Sequence, residues 1–193
     1  MQVITRAETR LRRGEIREKI LNGDVFVYPT DTIYGIGCNA LDSKAISKLR
    51  TMKQRPDSPF SVIAPSRAWI EENCIITDEA KEWLDKLPGP YTFILKTKDQ
   101  PVAPEVAPGK ESLGVRMPEH WITPFVEWVG VPIITTSVNV TDEPYMEKIE
   151  DLDEDINDTI KRKLAFVLYE GPIKGRPSKL VHLEGDEVKV RER

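Results

Sequence analysis

The chain has 193 residues, with 28 Lys and Arg against 32 Asp and Glu, a formal net charge of −4, and 39% hydrophobic residues. That balance excludes a disordered chain, no apolar run approaches the roughly 20 residues a transmembrane helix needs, and the net charge argues against a protein that mainly coats nucleic acid. Cys38 and Cys74 alone cannot form a disulfide framework or fill a zinc site, and the charged segment 1–13 has no signal-peptide core, so one cytoplasmic domain over residues 1–193 is expected.

Thr5-Arg-Ala-Glu8 has the capping-box pattern and predicts a helix that runs to Leu21 and stops at Asn22-Gly23. Val25–Tyr28 is a short apolar run that predicts a buried strand leading into Pro29-Thr-Asp-Thr32. Residues 43–52 carry apolar side chains at helical spacing, and 60–63 reads as a strand. A helix over 77–87 ends at Pro88-Gly-Pro90, and β-branched and aromatic residues make 91–96 a strand. The stretch 101–109, rich in Pro, is a loop inside the domain. Strands are expected at 113–117 and 131–136, with a short helix between them marked by Trp121, Phe125 and Trp128. Ile149, Leu152, Ile156, Ile160 and Leu164 recur every three or four residues and predict an amphipathic helix with a very acidic outer face. Strands at 165–169, 179–183 and 188–191 complete the chain. Interspersed helices and strands give an α/β or α+β class with one mixed sheet.

Several familiar motifs are missing from the sequence: there is no Walker-type phosphate loop, no G-x-G-x-x-G and no G-x-S-x-G elbow. His120 and His182 lie far apart and have no acidic or cysteine motif beside them. The positive signals are polar residues at strand ends, where ligands collect in open α/β sheets. Thr30, Asp31 and Thr32 follow the first buried strand; they either position a small polar substrate or simply build the turn. Lys53-Gln-Arg55 precedes Pro56, which disfavours helix at Arg55. The two cations either converge on one anion from an extended segment or serve as an ordinary helix end. Arg116 interrupts an apolar strand, as a surface residue of an edge strand or as the holder of a carboxylate or phosphate. Thr135-Thr-Ser137-Val-Asn139 again ends an apolar run in hydroxyl and amide groups, and Gly175-Arg-Pro-Ser178 and Arg191 are further candidates.

Tyr28-Pro-Thr-Asp-Thr-Ile-Tyr-Gly-Ile-Gly37, Lys53-x-Arg55, Pro88-Gly-Pro-Tyr-Thr92, Val115-Arg-Met-Pro118, Ser137-x-Asn139 and Pro177-Ser178 occur in that order. In order and spacing they resemble the YrdC/YciO family over nearly the whole chain. The resemblance implies a twisted mixed sheet around a large concave cavity. It also implies an L-threonylcarbamoyladenylate synthase, a nucleotidyltransferase of tRNA modification. L-threonine and bicarbonate form a carbamate that attacks the α-phosphate of ATP, supplied with Mg²⁺, and releases pyrophosphate. A downstream tRNA threonylcarbamoyl transferase takes the product. By position, the resemblance assigns Thr32, Arg116, Thr135 and Ser178 to L-threonine. It assigns Lys53, Arg55, Ser112, Ser137, Asn139 and Arg191 to ATP, with Lys53 and Arg55 as the catalytic cations, and it implies no protein-bound metal site.

The departures point toward the YciO-like branch. Asp57-Ser58-Pro59 stands where the family has an Asn-Pro, Ala64 falls near a family His, Tyr145 replaces a serine, and Lys179 replaces a threonine. The alternative is therefore a YciO-like nucleotide- or RNA-binding protein with weak or no synthase activity. A pure RNA-binding module is the third class, disfavoured by the acidic stretch 151–158 and the net charge.

Overall fold

The computed structural model describes residues 1–140, 143–152, 158–185 and 187–192. Among them, strands β1 (Gln2–Thr5), β2 (Phe26–Tyr28), β3 (Gly35–Gly37), β4 (Ser61–Ile63), β5 (Tyr91–Lys96), β6 (Ser112–Arg116), β7 (Ile133–Ser137), β8 (Phe166–Tyr169), β9 (Lys179–His182) and β10 (Lys189–Arg191) form one sheet. Its order is β1-β8-β2-β3-β7-β4-β6-β5-β9-β10. Pairings β1–β8, β2–β8, β4–β6 and β5–β9 are parallel and the rest antiparallel, so the sheet is mixed, as the alternation of elements implied.

Helices α1 (Arg6–Leu11), α2 (Arg13–Leu21), α3 (Ser43–Lys53), α4 (Arg67–Asn73), α5 (Asp78–Leu84), α6 (Ile122–Val129) and α7 (Asp158–Lys163) lie on its two faces. The capping box forms as predicted: the Thr5 side chain accepts from Glu8 N–H, and the Glu8 carboxylate accepts from Thr5 N–H at 2.8 Å. The helix it starts is not continuous to Leu21, because Arg12 leaves helical geometry (φ −105°, ψ 15°) and divides α1 from α2. The helix expected over 149–164 is a 3-10 turn (Ile149–Leu152) and then α7, while Ile156, with the rest of 153–157, lies outside the described residues. Strands β1 and β3 and helix α4 were not foreseen; each is short and lacks a clear period in the sequence.

The two faces of the sheet are covered unequally. One face carries Val27, Ile36, Val62, Phe93, Val115, Ile134, Val167 and Val181 and is packed under Ile46, Leu49 and Met52 of α3, Ile70 of α4, Leu84 of α5 and Ile160 of α7. The opposite face carries Phe26, Tyr28, Ile63, Ile133, Phe166 and Leu168 under α2 and α6, through Ile16, Ile20, Ile122, Val126 and Val129. That second layer stops partway across. Beyond it, strand alternation places Gly35, Ser61, Thr92, Gly114, Arg116, Thr135 and Ser137 on the same face, the registers Ser61↔Gly114, Ser61↔Thr135 and Gly35↔Ser137 setting them side by side. Where the helices end, the apolar side chains give way to small and polar ones.

Candidate active site

This uncovered stretch floors a cavity of about 210 Å³. Its walls include Arg55, Phe60, Thr92, Arg116, Thr135, Ser137, Tyr145 and Ser178. The backbone packs tightly here. A Cβ on Gly35 would stand 2.9 Å from the Tyr28 ring, and one on Gly175 would stand 1.9 Å from the Thr32 carbonyl oxygen. Glycine at 175 lets the loop before β9 lie directly on the turn after β2, and glycine at 35 leaves room for the Tyr28 ring on the neighbouring strand.

That turn is built by its own hydroxyls. Thr30 Oγ1 donates to the Ile33 carbonyl (2.7 Å) and accepts from Thr32 N–H (3.2 Å). With its proton committed to Ile33, Thr30 must accept from the Thr32 hydroxyl at 3.0 Å. Thr32 Oγ1 in turn accepts from Arg116 Nη2 at 3.2 Å. Thr30 thus makes the turn, while Thr32 faces the arginine.

Arg116 is the buried cation of the site, 5% exposed. Its Nη2 also donates to Asp31 Oδ1 at 2.7 Å, a buried ion pair, and Asp31 Oδ2 accepts from Glu119 N–H at 2.9 Å. The sequence left Arg116 open between a surface residue of an edge strand and the holder of an anion; it is buried on a central strand, and Asp31, inside the Pro-Thr-Asp-Thr segment, is its carboxylate partner. Thr135 lies on the neighbouring floor, and Ser178 reaches it from the loop before β9, its Oγ 2.7 Å from Thr92 Oγ1.

The other wall comes from the end of α3. Gln54 adopts the left-handed conformation (φ 51°) and closes the helix, so Lys53 and Arg55 diverge and do not converge on one point. Arg55 lines the cavity, its guanidinium donating to the Pro59 carbonyl and stacked over Phe60 at 5.2 Å. Lys53, 1% exposed, turns under β7 and donates to Ser137 O (2.5 Å), Asn139 O (2.7 Å) and Asn139 Oδ1 (3.0 Å). Burial, with the nearby Arg55 charge, lowers its ammonium pKa to about 7. Ser137 Oγ donates to Asn139 Oδ1 at 2.6 Å, and Asn139 Nδ2 to the Glu143 carbonyl at 2.6 Å. Lys53 and Asn139 therefore fix the strand end that presents Ser137. Arg50 went unnoticed in the sequence because a cation inside a helix carries no signal. It is 9% exposed and holds the Arg55 loop by donating to the Arg55, Ser58 and Glu105 carbonyls.

Five expected residues do not line the cavity: Thr32, Lys53 and Asn139 stand behind residues that do, and Ser112 and Arg191 lie elsewhere. Ser112 shares a strand face with Arg116 but stands four residues away, about 13 Å along β6, opposite Lys96 and lining a separate depression. Arg191 is exposed on the edge strand β10, paired with Leu180. Ala64 is fully buried, its N–H bonded to the Arg116 carbonyl, and Tyr145 lines the cavity while donating to the Gly175 carbonyl at 3.0 Å. Among the described residues no three His, Cys, Asp or Glu side chains converge on a metal position, and no helix is long and apolar enough to cross a membrane.

The Sua5/YciO/YrdC family model, described as "Telomere recombination", matches residues 18–193. A protein of Methanocaldococcus jannaschii named "Putative threonylcarbamoyl-AMP synthase" is 33% identical over 177 residues, 90% of this chain and 81% of that one. The crystal structure of P. abyssi Sua5 complexed with L-threonine superposes with a TM-score of 0.86 at 25% identity, covering 98% of this chain; this chain spans just over half of that one, 56%. E. coli YciO has the same fold, with a TM-score of 0.82 at 24% identity over 100% of this chain and 94% of its own.

Proposed function

Since the chain belongs to the Sua5/YciO/YrdC family, we propose that it is an L-threonylcarbamoyladenylate synthase, with the cavity over the uncovered half of the sheet as its active site. The observation that carries this reading is the convergence of two sets of groups in one cavity. Arg116, Thr135 and Ser178 line one polar corner, with Thr32 bonded to Arg116 from behind it at 3.2 Å, and Arg55 and Ser137 line the same cavity. The M. jannaschii relative bears the synthase name, and the Sua5 relative was crystallised with L-threonine.

In this reading Arg116 takes the threonine carboxylate, an arginine fork matching a carboxylate in shape and charge. The hydroxyls of Thr32, Thr135, Ser178 and Thr92 surround the side chain and amine. The threonine amine and bicarbonate give the carbamate and water. A carbamate oxygen then forms a bond to the α-phosphorus of ATP, and the bond to the β-phosphate oxygen breaks to release pyrophosphate. Both reactants are anionic, so fixed cations and hydrogen-bond donors matter more than an acid–base pair. Arg55 supplies charge from the cavity wall, Ser137 a hydroxyl, and Lys53 a cation held beneath Ser137. Magnesium enters on the triphosphate as part of the substrate, in keeping with how this ion is usually carried. At about 210 Å³ the cavity is smaller than the roughly 300–1,000 Å³ that encloses a drug-sized ligand. It therefore holds the reacting groups, with the rest of the nucleotide lying across its mouth. The adenylate would pass to a tRNA-modifying transferase.

The test is pyrophosphate release from ATP and bicarbonate with and without L-threonine, with serine as control and the adenylate identified by mass. Threonine-dependent release is the expected result. ATP binding without release would move the protein to a YciO-like role and overturn the synthase reading.

A further inference from the structure

We propose that Asp31 is the positioning residue of the amino-acid subsite: its buried carboxylate fixes the Arg116 guanidinium in the orientation that receives the substrate carboxylate. The proposal rests on the synthase reading and adds a residue that the transferred site assignments leave out.

Asp31 is tied at both ends. Oδ1 accepts from Arg116 Nη2 at 2.7 Å and Oδ2 from Glu119 N–H at 2.9 Å. The side chains of Arg116 and Asp31 are 6% and 10% exposed. Asp31 therefore links three segments: the turn after β2, the end of β6 and the turn beyond it. An arginine side chain has many rotamers and loses most of that freedom when held. Here the freedom is removed before any substrate arrives, which lowers the ordering cost of binding. The Thr32 hydroxyl, bonded to the same Nη2 at 3.2 Å, has its proton directed to Thr30 and so offers Arg116 only a lone pair. The carboxylate also offsets the arginine charge, so the guanidinium stays buried without a substrate.

Asparagine at position 31 cannot replace this arrangement. Its single carbonyl oxygen can accept from Arg116 or from Glu119 N–H, and the amide NH₂ then meets a donor at the other end.

The experiment is calorimetric titration of L-threonine and, separately, of ATP into the wild type, Asp31→Asn, Asp31→Glu, Arg116→Gln and the double variant Asp31→Asn/Arg116→Gln. Loss of a hydrogen bond to a charged group predicts that Asp31→Asn weakens L-threonine binding about tenfold or more with ATP affinity unchanged. Asp31→Glu keeps the charge, and so the fold, but displaces the guanidinium; the same selective loss is expected. In the Arg116→Gln background, Asp31→Asn adds no further loss. Wild-type threonine affinity in both Asp31 variants overturns the proposal. So does an equal loss of ATP affinity, which marks a general structural role, or a loss that persists without Arg116. Failure of the wild type to bind L-threonine would instead sink the functional reading itself.

Discussion

Replacing Lys53 with methionine keeps the length of the side chain and removes its charge and three donors. In the wild type those donors meet Ser137 O, Asn139 O and Asn139 Oδ1, at a site 1% exposed. Burial, then the Arg55 charge, brings the folded-state pKa from 10.5 down to about 7. The sign follows from proton binding. Below pH 7 Lys53 is charged in both states, and the folded protein bears the full cost of burying it. Between pH 7 and 10.5 the unfolded chain keeps a proton that the folded protein has released, so folding stability rises with pH. The slope approaches about 1.4 kcal/mol per pH unit for one proton but is only half that at the folded pKa, so the rise is roughly 2 kcal/mol between pH 7 and pH 9. Methionine cannot titrate, so the stability of the wild type minus that of Lys53→Met should grow by that amount over the same window. Urea unfolding of both proteins at pH 6, 7, 8 and 9, followed by tryptophan fluorescence, measures it. A difference that stays constant from pH 6 to pH 9 would refute the reasoning and return Lys53 to an ordinary lysine pKa.

Three further outcomes separate the walls of the cavity from one another. Arg55→Ala should raise the KM for ATP about tenfold or more, as expected for losing a charged hydrogen-bond donor, and leave L-threonine affinity unchanged; steady-state kinetics with either substrate varied checks this. Ser112→Ala should leave ATP affinity within about twofold of wild type, since the half-buried hydroxyl stands about 13 Å along β6 from Arg116 and lines a separate depression; a loss seen by calorimetry would mean that the nucleotide reaches along β6. Gly114→Ala should destabilise the fold by about 1–3 kcal/mol, because the added methyl would stand 2.3 Å from Ser61 Oγ and 3.3 Å from Ile94 Cδ1, and chemical denaturation reads the cost directly.

Local physics made much of the fold readable in advance. The Thr5 capping box, the Asn22-Gly23 stop, and strand β5 over Tyr91–Lys96 all follow from short-range rules, and each appears where it was expected. The break at Arg12 was not anticipated, although Gly14, a poor helix former, stands two residues beyond it. The motif order supplied candidate residues, of which Arg55, Arg116, Thr135, Ser137 and Ser178 line the cavity, but it gave no geometry. Lys53 and Arg55 read either as a pair aimed at one anion or as an ordinary helix end; the left-handed turn at Gln54 gives them different carbonyl acceptors, and no proline or glycine stands at that residue. Ser112 and Arg116 share a strand face by alternation, yet the length of β6 keeps them apart. Asp31 and Arg116 are 85 residues apart in the chain, so their pairing is a product of sheet topology.

The uneven second helical layer explains why the site lies where it does. A sheet covered on both faces gains stability from apolar side chains, and a polar residue there has to be paired. Helices α2 and α6 cover only the half of their face that carries Phe26, Tyr28, Ile63, Ile133, Phe166 and Leu168. The uncovered half consequently bears glycine, serine and threonine, which leave room for a ligand and expose few apolar atoms in its absence. The cations required for anionic chemistry cannot stand free on that floor without a large desolvation cost. Each is instead placed at its margin and given acceptors: Arg116 with Asp31 and Thr32, Lys53 with Ser137 and Asn139, Arg55 with Pro59 and the Phe60 ring. Arg116, with Asp31 at 2.7 Å, stands at one corner of the cavity, and Arg55, with Lys53 behind Ser137, stands on the other side. In the proposed reading, that division suits a small zwitterionic amino acid on one side and a triphosphate on the other. It follows from where the helical layer stops and from which loop each cation leaves.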